Sequence, residues 1–79
     1  MKVKLRFFAL FREIAGRKEM EMELEPGVSV AHLRERLRQV FPHLGEYELM
    51  VAVNGKYVGP RDELREGDEV ALLPPFSGG

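Results

Sequence analysis

The sequence predicts an α+β domain in which a mixed sheet of four or five strands packs against one main helix and ends in an extended tail. Several short stretches alternate apolar and polar residues with a period of two, which is typical of half-buried strands. One longer stretch repeats its apolar residues every three or four positions, as an amphipathic helix does. Asn54-Gly55 lies between two predicted strands and favours a tight hairpin turn, because both turn positions require positive φ.

The first part of the chain predicts two strands separated by a short helical turn. Residues 2–9 alternate, which turns Phe8 toward the polar face. The opposite, core-facing residues are expected to be Val3, Leu5, Phe7 and Ala9. Residues 10–15 predict a helical turn that Gly16 can end in a left-handed conformation. Residues 19–24 alternate again, and the residues expected in the core are Met20, Met22 and Leu24.

The main helix is predicted to begin after Ser29, a favourable N-cap residue, and to end before Pro42. Its expected core-facing residues are Val30, Leu33, Leu37, Val40 and Phe41. Its expected solvent-facing residues are Arg34, Glu35, Arg36 and Arg38. Residues 49–53 then predict a buried strand, residues 56–58 a short return strand and residues 69–73 the last strand. Two hairpins joined by a helix fit a β-grasp arrangement, with the first and last strands side by side.

Length and composition exclude several classes of function. A chain of 79 residues forms one small domain with little room for an enclosed active site. It has no cysteine, which excludes a disulfide framework, a thiolate zinc site and a cysteine-bound iron–sulfur cluster. His32 and His43 lack the spacing of a metal site. The sequence shows no nucleophile–base pair and no phosphate loop, so it does not predict a stand-alone enzyme.

Charge and hydropathy also limit the partners. The net charge is −1, with a basic start and an acidic later part, which favours neither nucleic acid nor an anionic membrane. No apolar run approaches the roughly 20 residues that span a membrane, and the start lacks the pattern of a secretory signal. We therefore expect a cytoplasmic protein without nucleic-acid or membrane partners.

The unusual part of the sequence is its end, which divides the chain into a domain of residues 1–73 and a tail of residues 74–79. The tail consists of Pro74, Pro75, Phe76, Ser77, Gly78 and Gly79. Its two prolines cannot continue a sheet and prefer a stiff, extended form. Six extended residues span about 20 Å, and a narrow channel could admit the two glycines. A bare Gly-Gly is also compatible with a frayed chain end, but the stiff spacer before it favours a function.

The tail ends in a carboxylate, which is a poor electrophile until it is activated. The simplest activation is a mixed anhydride with a nucleotide phosphate. A sulfur nucleophile can then displace the nucleotide and leave a thiocarboxylate, a soft and exposed sulfur nucleophile. Because the chain has no cysteine, any sulfur that it carries must be held elsewhere than on a cysteine side chain.

Three stretches carry a resemblance that covers essentially the whole chain. They are VKLRFFALFREIAG at residues 3–16, VAVNG at residues 51–55 and EGDEVALLPPFSGG at residues 66–79. Together they resemble the family of small, sulfur-carrying subunits of molybdopterin synthase, which is related to ubiquitin. The resemblance implies a ubiquitin-like β-grasp fold. It also implies a sulfur carrier that is not an enzyme on its own, that binds no permanent cofactor and that joins a heterotetramer with two large subunits.

The resemblance also implies a reaction cycle at the tail. An E1-like partner enzyme uses ATP to adenylate Gly79, and a sulfur donor system converts the adenylate into a thiocarboxylate. The tail then enters the large subunit, where the sulfur passes to cyclic pyranopterin monophosphate. Gly79 matches the carrier position of the family, and Gly78 matches its neighbour.

Four further residues match positions that the family uses against its partners. Phe8, Tyr57 and Leu73 match apolar contact positions, and Arg12 matches a position that could pair with an acidic group. Alternation independently turns Phe8 and Tyr57 away from the core, which suggests a docking patch. Scattered surface aromatics are also normal in soluble proteins, and Arg12 is equally compatible with an ordinary surface arginine.

The sequence departs from the family pattern at two positions, and several alternative functions stay open. Family members often carry an aromatic residue just before the two prolines, where this chain has Leu73, and a smaller residue where it has Phe76. The same chemistry serves thiamine thiazole synthesis, whose carriers usually lack the helical segment 10–16, and tRNA thiolation. A ubiquitin-like protein modifier joined to lysines is another class, and an interaction domain with an inert tail is a third.

Overall fold

The computed structural model describes residues 1–75, and in this range it contains five strands, two α-helices and a 3-10 helix. The elements are β1 (Lys2–Phe7), α1 (Leu10–Ala15), β2 (Glu19–Glu23), α2 (Val30–Val40), the 3-10 helix (Pro42–Glu46), β3 (Met50–Val53), β4 (Lys56–Tyr57) and β5 (Glu69–Leu73). The sheet order is β2-β1-β5-β3-β4. β1 and β5 are parallel, and the other pairs are antiparallel. The predicted β-grasp arrangement is confirmed.

The core lies between α2 and one face of the sheet. On β1 the inward side chains of Val3, Leu5 and Phe7 are at most 2% exposed, while the residues between them are exposed. The same alternation buries Val70 and Leu72 on β5. The period-two pattern therefore predicted the inward residues of β1 correctly, because this strand is covered on one side only.

The prediction that Ala9 continues the inward face of β1 is wrong. β1 ends at Phe7, and Ala9 is exposed with φ 50° and ψ −127°. This conformation turns the chain out of the sheet and into α1, whose fully buried Phe11 enters the core instead. Gly16 ends α1 in the predicted left-handed conformation, with φ 73°.

The predicted boundaries of α2 are confirmed. The side chain of Ser29 accepts a hydrogen bond from the backbone N–H of His32 at 3.3 Å, and the helix ends at Val40, two residues before Pro42. Two predictions within α2 are wrong. Val40 is 45% exposed, because the core beyond the helix is filled by Phe41, whose ring packs edge-on against Phe7 at 5.7 Å between centroids.

The second wrong prediction concerns Arg34, which was expected to face water. Its side chain is half-buried, and Nη2 donates a hydrogen bond to the backbone oxygen of Leu49 at 2.9 Å. Arg34 therefore ties the segment before β3 to α2. An arginine can do this because its apolar stem covers the core while its planar head reaches a backbone acceptor.

The Asn54-Gly55 turn forms as predicted, with φ 50° and 85°. The side chain of Asn54 also binds the start of β5, donating to the carboxylate of Asp68 at 2.9 Å and accepting from the backbone N–H of Glu69 at 3.0 Å. The hairpin is thus fixed against the central strand. The prediction of a buried strand at residues 49–53 is confirmed for Val51 and Ala52, which are 1% and 8% exposed, but it is wrong for Met50, which is 37% exposed.

Candidate docking face and carrier tail

The face of the sheet that points away from α2 is not covered by any element within residues 1–75, and we call it the open face. One half of the open face is apolar. Its residues, which we call the apolar patch, are Phe8, Met50, Ala52, Tyr57, Ala71 and Leu73. Phe8 is 38% exposed and Tyr57 is 66% exposed. Large apolar side chains gathered on a surface indicate a place where a partner binds.

Strand register makes the apolar patch continuous. One row across the sheet runs through Arg6, Ala71, Ala52 and Tyr57. In the next row Leu73 lies opposite Met50. Phe8 lies beside Leu73, one step beyond the paired Phe7 and Leu72, and its N–H donates to the backbone oxygen of Leu72 at 3.2 Å. The patch therefore covers parts of β5, β3 and β4 and extends to Phe8, just after β1, without a charged side chain inside it.

The other half of the open face is charged. Its residues, which we call the charged half, are Lys2, Lys4, Arg6, Glu19, Glu21, Glu23 and Glu69. Lys4 pairs with Glu19 at 3.6 Å, and Arg6 pairs with Glu69 at 3.0 Å. Arg6 lies at the border with the apolar patch, because its guanidinium carbon is 5.7 Å from the ring centroid of Phe8.

The tail leaves the domain at the apolar patch. Leu73 is the last residue of β5, and the exposed Pro74 and Pro75 follow it directly. Pro75 also borders a groove that the end of α2 and the start of β3 form together with Arg34 and Tyr47. β5 lies in the middle of the sheet, so a partner that binds the open face has the start of the tail within its footprint.

The structure brings together three of the predicted partner-binding residues. Phe8, Leu73 and Tyr57 share the open face. Phe8 follows β1 directly and Tyr57 belongs to β4, three strands away, which is roughly 14 Å at the usual strand spacing. Smaller apolar residues fill the space between them. Arg12 lies outside the patch, exposed on α1. The predicted tail positions Phe76, Ser77, Gly78 and Gly79 lie outside the described residues.

Sequence reasoning missed the middle of the patch. Met50 and Ala52 were assigned to a buried strand, and Ala71 was not assigned to any site. The alternation of Val51 and Val53 with their neighbours was the pattern that could have found them, since inward valines place Met50 and Ala52 on the opposite face. Ala52 is only 8% exposed there, because larger neighbours cover its small side chain. The border position of Arg6 depends on strand register, which the sequence does not give directly.

Within residues 1–75 no three His, Cys, Asp or Glu side chains gather as metal ligands. His32 and His43 are exposed, and their ring nitrogens contact Ser29 at 3.0 Å and Glu46 at 3.4 Å, each within one turn of its own helix. In the same part of the chain no helix is both long and apolar enough to cross a membrane.

A β-grasp sheet with an apolar open face, continued by a C-terminal tail from its middle strand, defines the ubiquitin-like class of protein. Comparison with known sequences and structures identifies the particular family. The ThiS family profile matches residues 5–79, and the chain belongs to this family. The resemblance seen in the sequence is thereby confirmed.

Individual relatives cover the chain from end to end. A molybdopterin synthase sulfur carrier subunit from Chlamydomonas reinhardtii is 39% identical, with 100% of both chains covered. Small archaeal modifier protein 3 from Haloferax volcanii is 33% identical, also with 100% of both chains covered. The structure of subunits 1 and 2 of the molybdopterin-converting factor from Helicobacter pylori contains a chain with a TM-score of 0.70 and 25% identity, with 100% of both chains covered.

Proposed function

We propose that this chain is the sulfur carrier subunit of a molybdopterin synthase. The observation that carries the proposal is the position of the tail, which leaves β5 at the edge of the apolar patch. A partner bound to this patch would hold the start of the tail at a defined position relative to its own surface. The name of the Chlamydomonas relative and its identity of 39% over the whole chain support the choice of pathway.

In the proposed cycle the carboxylate of Gly79 attacks the α-phosphorus of ATP in an E1-like enzyme and releases pyrophosphate. A sulfur nucleophile from a donor system then displaces AMP and leaves a thiocarboxylate. The loaded tail enters the large subunit and gives its sulfur to cyclic pyranopterin monophosphate. The chain is a co-substrate that is loaded again after each transfer, and it needs no cofactor of its own.

The apolar patch is proposed to bind the large subunit and the activating enzyme in turn. Phe8, Tyr57 and Leu73 supply the apolar contacts. Exposed aromatic side chains are frequent anchors in interfaces because they bury a large area at a small entropic cost. Arg12 is proposed to pair with an acidic group at the rim, where it would favour correct encounter more than affinity.

Intact-mass analysis tests the cycle directly. The purified chain is incubated with the activating enzyme and sulfur donor system of the same organism and with ATP. We expect a mass gain that corresponds to one oxygen replaced by sulfur, located at Gly79 by fragmentation. A chain without Gly79 is the matched control and is expected to stay unmodified. A terminus that remains an ordinary carboxylate in the active mixture would contradict the proposal.

A protein modifier is the second candidate function, and the full-length similarity to the Haloferax modifier favours it. Activation of the terminus would be the same, but the acyl group would pass to a lysine of a target protein. Mass spectrometry of tagged protein recovered from cells separates the two candidates. Isopeptide conjugates through Gly79 would support the modifier. Conversion of the pterin precursor by the thiocarboxylate form and the large subunit would support the sulfur carrier.

A further inference from the structure

Phe8 is held more firmly than an exposed aromatic residue usually is. Its backbone N–H donates to Leu72 at 3.2 Å, and its carbonyl accepts from the N–H of Phe11 at 3.1 Å. The next residue, Ala9, has φ 50° and ψ −127°, a conformation that side-chain-bearing residues rarely adopt and that surrounding contacts must impose. Both backbone groups of Phe8 are therefore in use, although its side chain is 38% exposed.

Arg6 restrains the ring of the same residue. The guanidinium carbon of Arg6 is 5.7 Å from the ring centroid, which is within the range of a cation–π contact. Nη1 of Arg6 is also 3.0 Å from the carboxylate of Glu69. The side chains of Arg6 and Glu69 are 46% and 48% exposed, so their pair adds little to folding stability. The guanidinium group of Arg6 thus contacts the carboxylate of Glu69 and the ring of Phe8 at the same time.

We infer that Arg6 is a positioning residue that holds the ring of Phe8 in its binding orientation before a partner arrives. The inference rests on the proposed docking of the apolar patch. An aromatic side chain that is ordered in advance loses less rotational freedom on binding, and the gain is about threefold to tenfold in affinity for one such side chain. Arg6 thus affects binding through Phe8 and not through a contact of its own.

A double-mutant cycle measured by titration calorimetry tests this inference. The titrant is the large subunit of molybdopterin synthase from the same organism, and the variants are Arg6→Met, Phe8→Leu and the two combined. We expect Arg6→Met to raise the Kd about fivefold because the ring loses its restraint. In the Phe8→Leu background the same change should alter the Kd less than about twofold, because no ring remains to be held. Arg6→Lys should recover part of the affinity.

Lys4 offers a matched control on the same strand and the same face. It pairs with Glu19 at 3.6 Å, and Lys4→Met removes the same charge from the open face as Arg6→Met does. We expect its Kd to stay within about twofold of the parent value, because exposed ion pairs contribute little. An equal loss in Lys4→Met and Arg6→Met would overturn the inference, because net charge would then explain both.

A measurement on the unbound protein completes the test. The side-chain protons of Arg6 should show an upfield ring-current shift in the NMR spectrum, and Phe8→Leu should abolish it. Absence of this shift would overturn the inference without any partner. An equal effect of Arg6→Met in both backgrounds would also overturn it, because Arg6 would then contact the partner itself. If Phe8→Leu alone leaves the Kd unchanged, the docking role of Phe8 fails too, while formation of the thiocarboxylate remains a separate result.

Discussion

The two halves of the open face differ in their chemistry, although they belong to the same sheet. The charged half covers β2 and most of β1, where lysine and arginine of one strand face glutamates of the next. The apolar patch covers the end of β5 together with β3 and β4. Glutamates along the edge strand β2 discourage pairing with another sheet. The apolar patch has no such protection, which is expected of a surface that a partner covers.

The position of the tail explains why the halves are arranged in this way. β1 and β5 run parallel, so Phe8 and the start of the tail emerge at the same end of the sheet. A partner that docks at that end would bind next to the start of the tail, where Pro74 and Pro75 favour an extended backbone. A partner bound to the charged half would instead lie farther from Leu73, where the tail begins.

A charge within the apolar patch gives the largest effect that we expect. Leu73→Asp places a carboxylate where the proposed interface excludes water, and a buried unpaired charge is costly. We expect the Kd for the large subunit to rise at least about 100-fold, which is about 2.7 kcal/mol. Titration calorimetry measures the Kd, and thermal unfolding checks that the variant folds.

The matched control for this change lies in the charged half. Glu21 is exposed on β2, and Glu21→Ala should leave the Kd within about twofold of the parent value. If the two variants lose affinity equally, the division of the open face into a binding half and a non-binding half is wrong.

Truncation of the most exposed aromatic residue should have a smaller effect. Tyr57 is 66% exposed, so Tyr57→Ala should leave the free energy of unfolding nearly unchanged. It should raise the Kd about tenfold, as loss of one aromatic anchor commonly does. Val40 is a control, since it is 45% exposed on α2 and lies outside the open face. A loss of affinity in Val40→Ala as large as that in Tyr57→Ala would place the interface elsewhere.

Relief of the backbone strain at Ala9 should change stability and binding in opposite directions. Ala9→Gly removes a conformational cost, since glycine adopts positive φ freely, and we expect the free energy of unfolding to rise by about 1 kcal/mol. The Kd should nevertheless rise about threefold, because the turn that holds Phe8 becomes looser. Chemical denaturation and calorimetry measure the two quantities.

The matched control for this change is Ala31→Gly in the first turn of α2. Ala31 is exposed and helical, so glycine there should lower stability slightly and leave the Kd unchanged. A gain of both stability and affinity in Ala9→Gly would show that the strain has no role in docking.

Local patterns predicted most of the fold, because they depend on neighbouring residues. Period two identified Leu5 as a core residue, and Asn54-Gly55 predicted the hairpin turn. The errors fall where a distant element decides the outcome. Val40 continued the helical stripe, but Phe41 and the 3-10 helix occupy the core beyond it. No local pattern shows that a separate turn competes for the same space.

The candidate site was predicted less completely, and for a similar reason. Phe8 and Tyr57 could be turned outward by alternation within their own strands. That both lie on one continuous surface depends on β5 and β3 being inserted between β1 and β4. Strand order and register bring Ala71 and Ala52 into one row, and these properties arise from long-range pairing. The border role of Arg6 follows from the same register.

Loss of an ion pair within the charged half should have the smallest effect. Glu19→Gln removes the partner of Lys4, which lies at 3.6 Å, and both side chains are 48% exposed. Water solvates the two separate charges almost as well as the charges stabilise each other in the pair. The free energy of unfolding should therefore fall by no more than about 0.5 kcal/mol. The Kd for the large subunit should not change beyond the error of the titration. A loss of more than about 1 kcal/mol, or a tenfold rise in the Kd, would mean that the charged half supports the fold or takes part in docking. Either result would remove the distinction between the two halves, because the charges would then do more than keep the edge of the sheet from pairing.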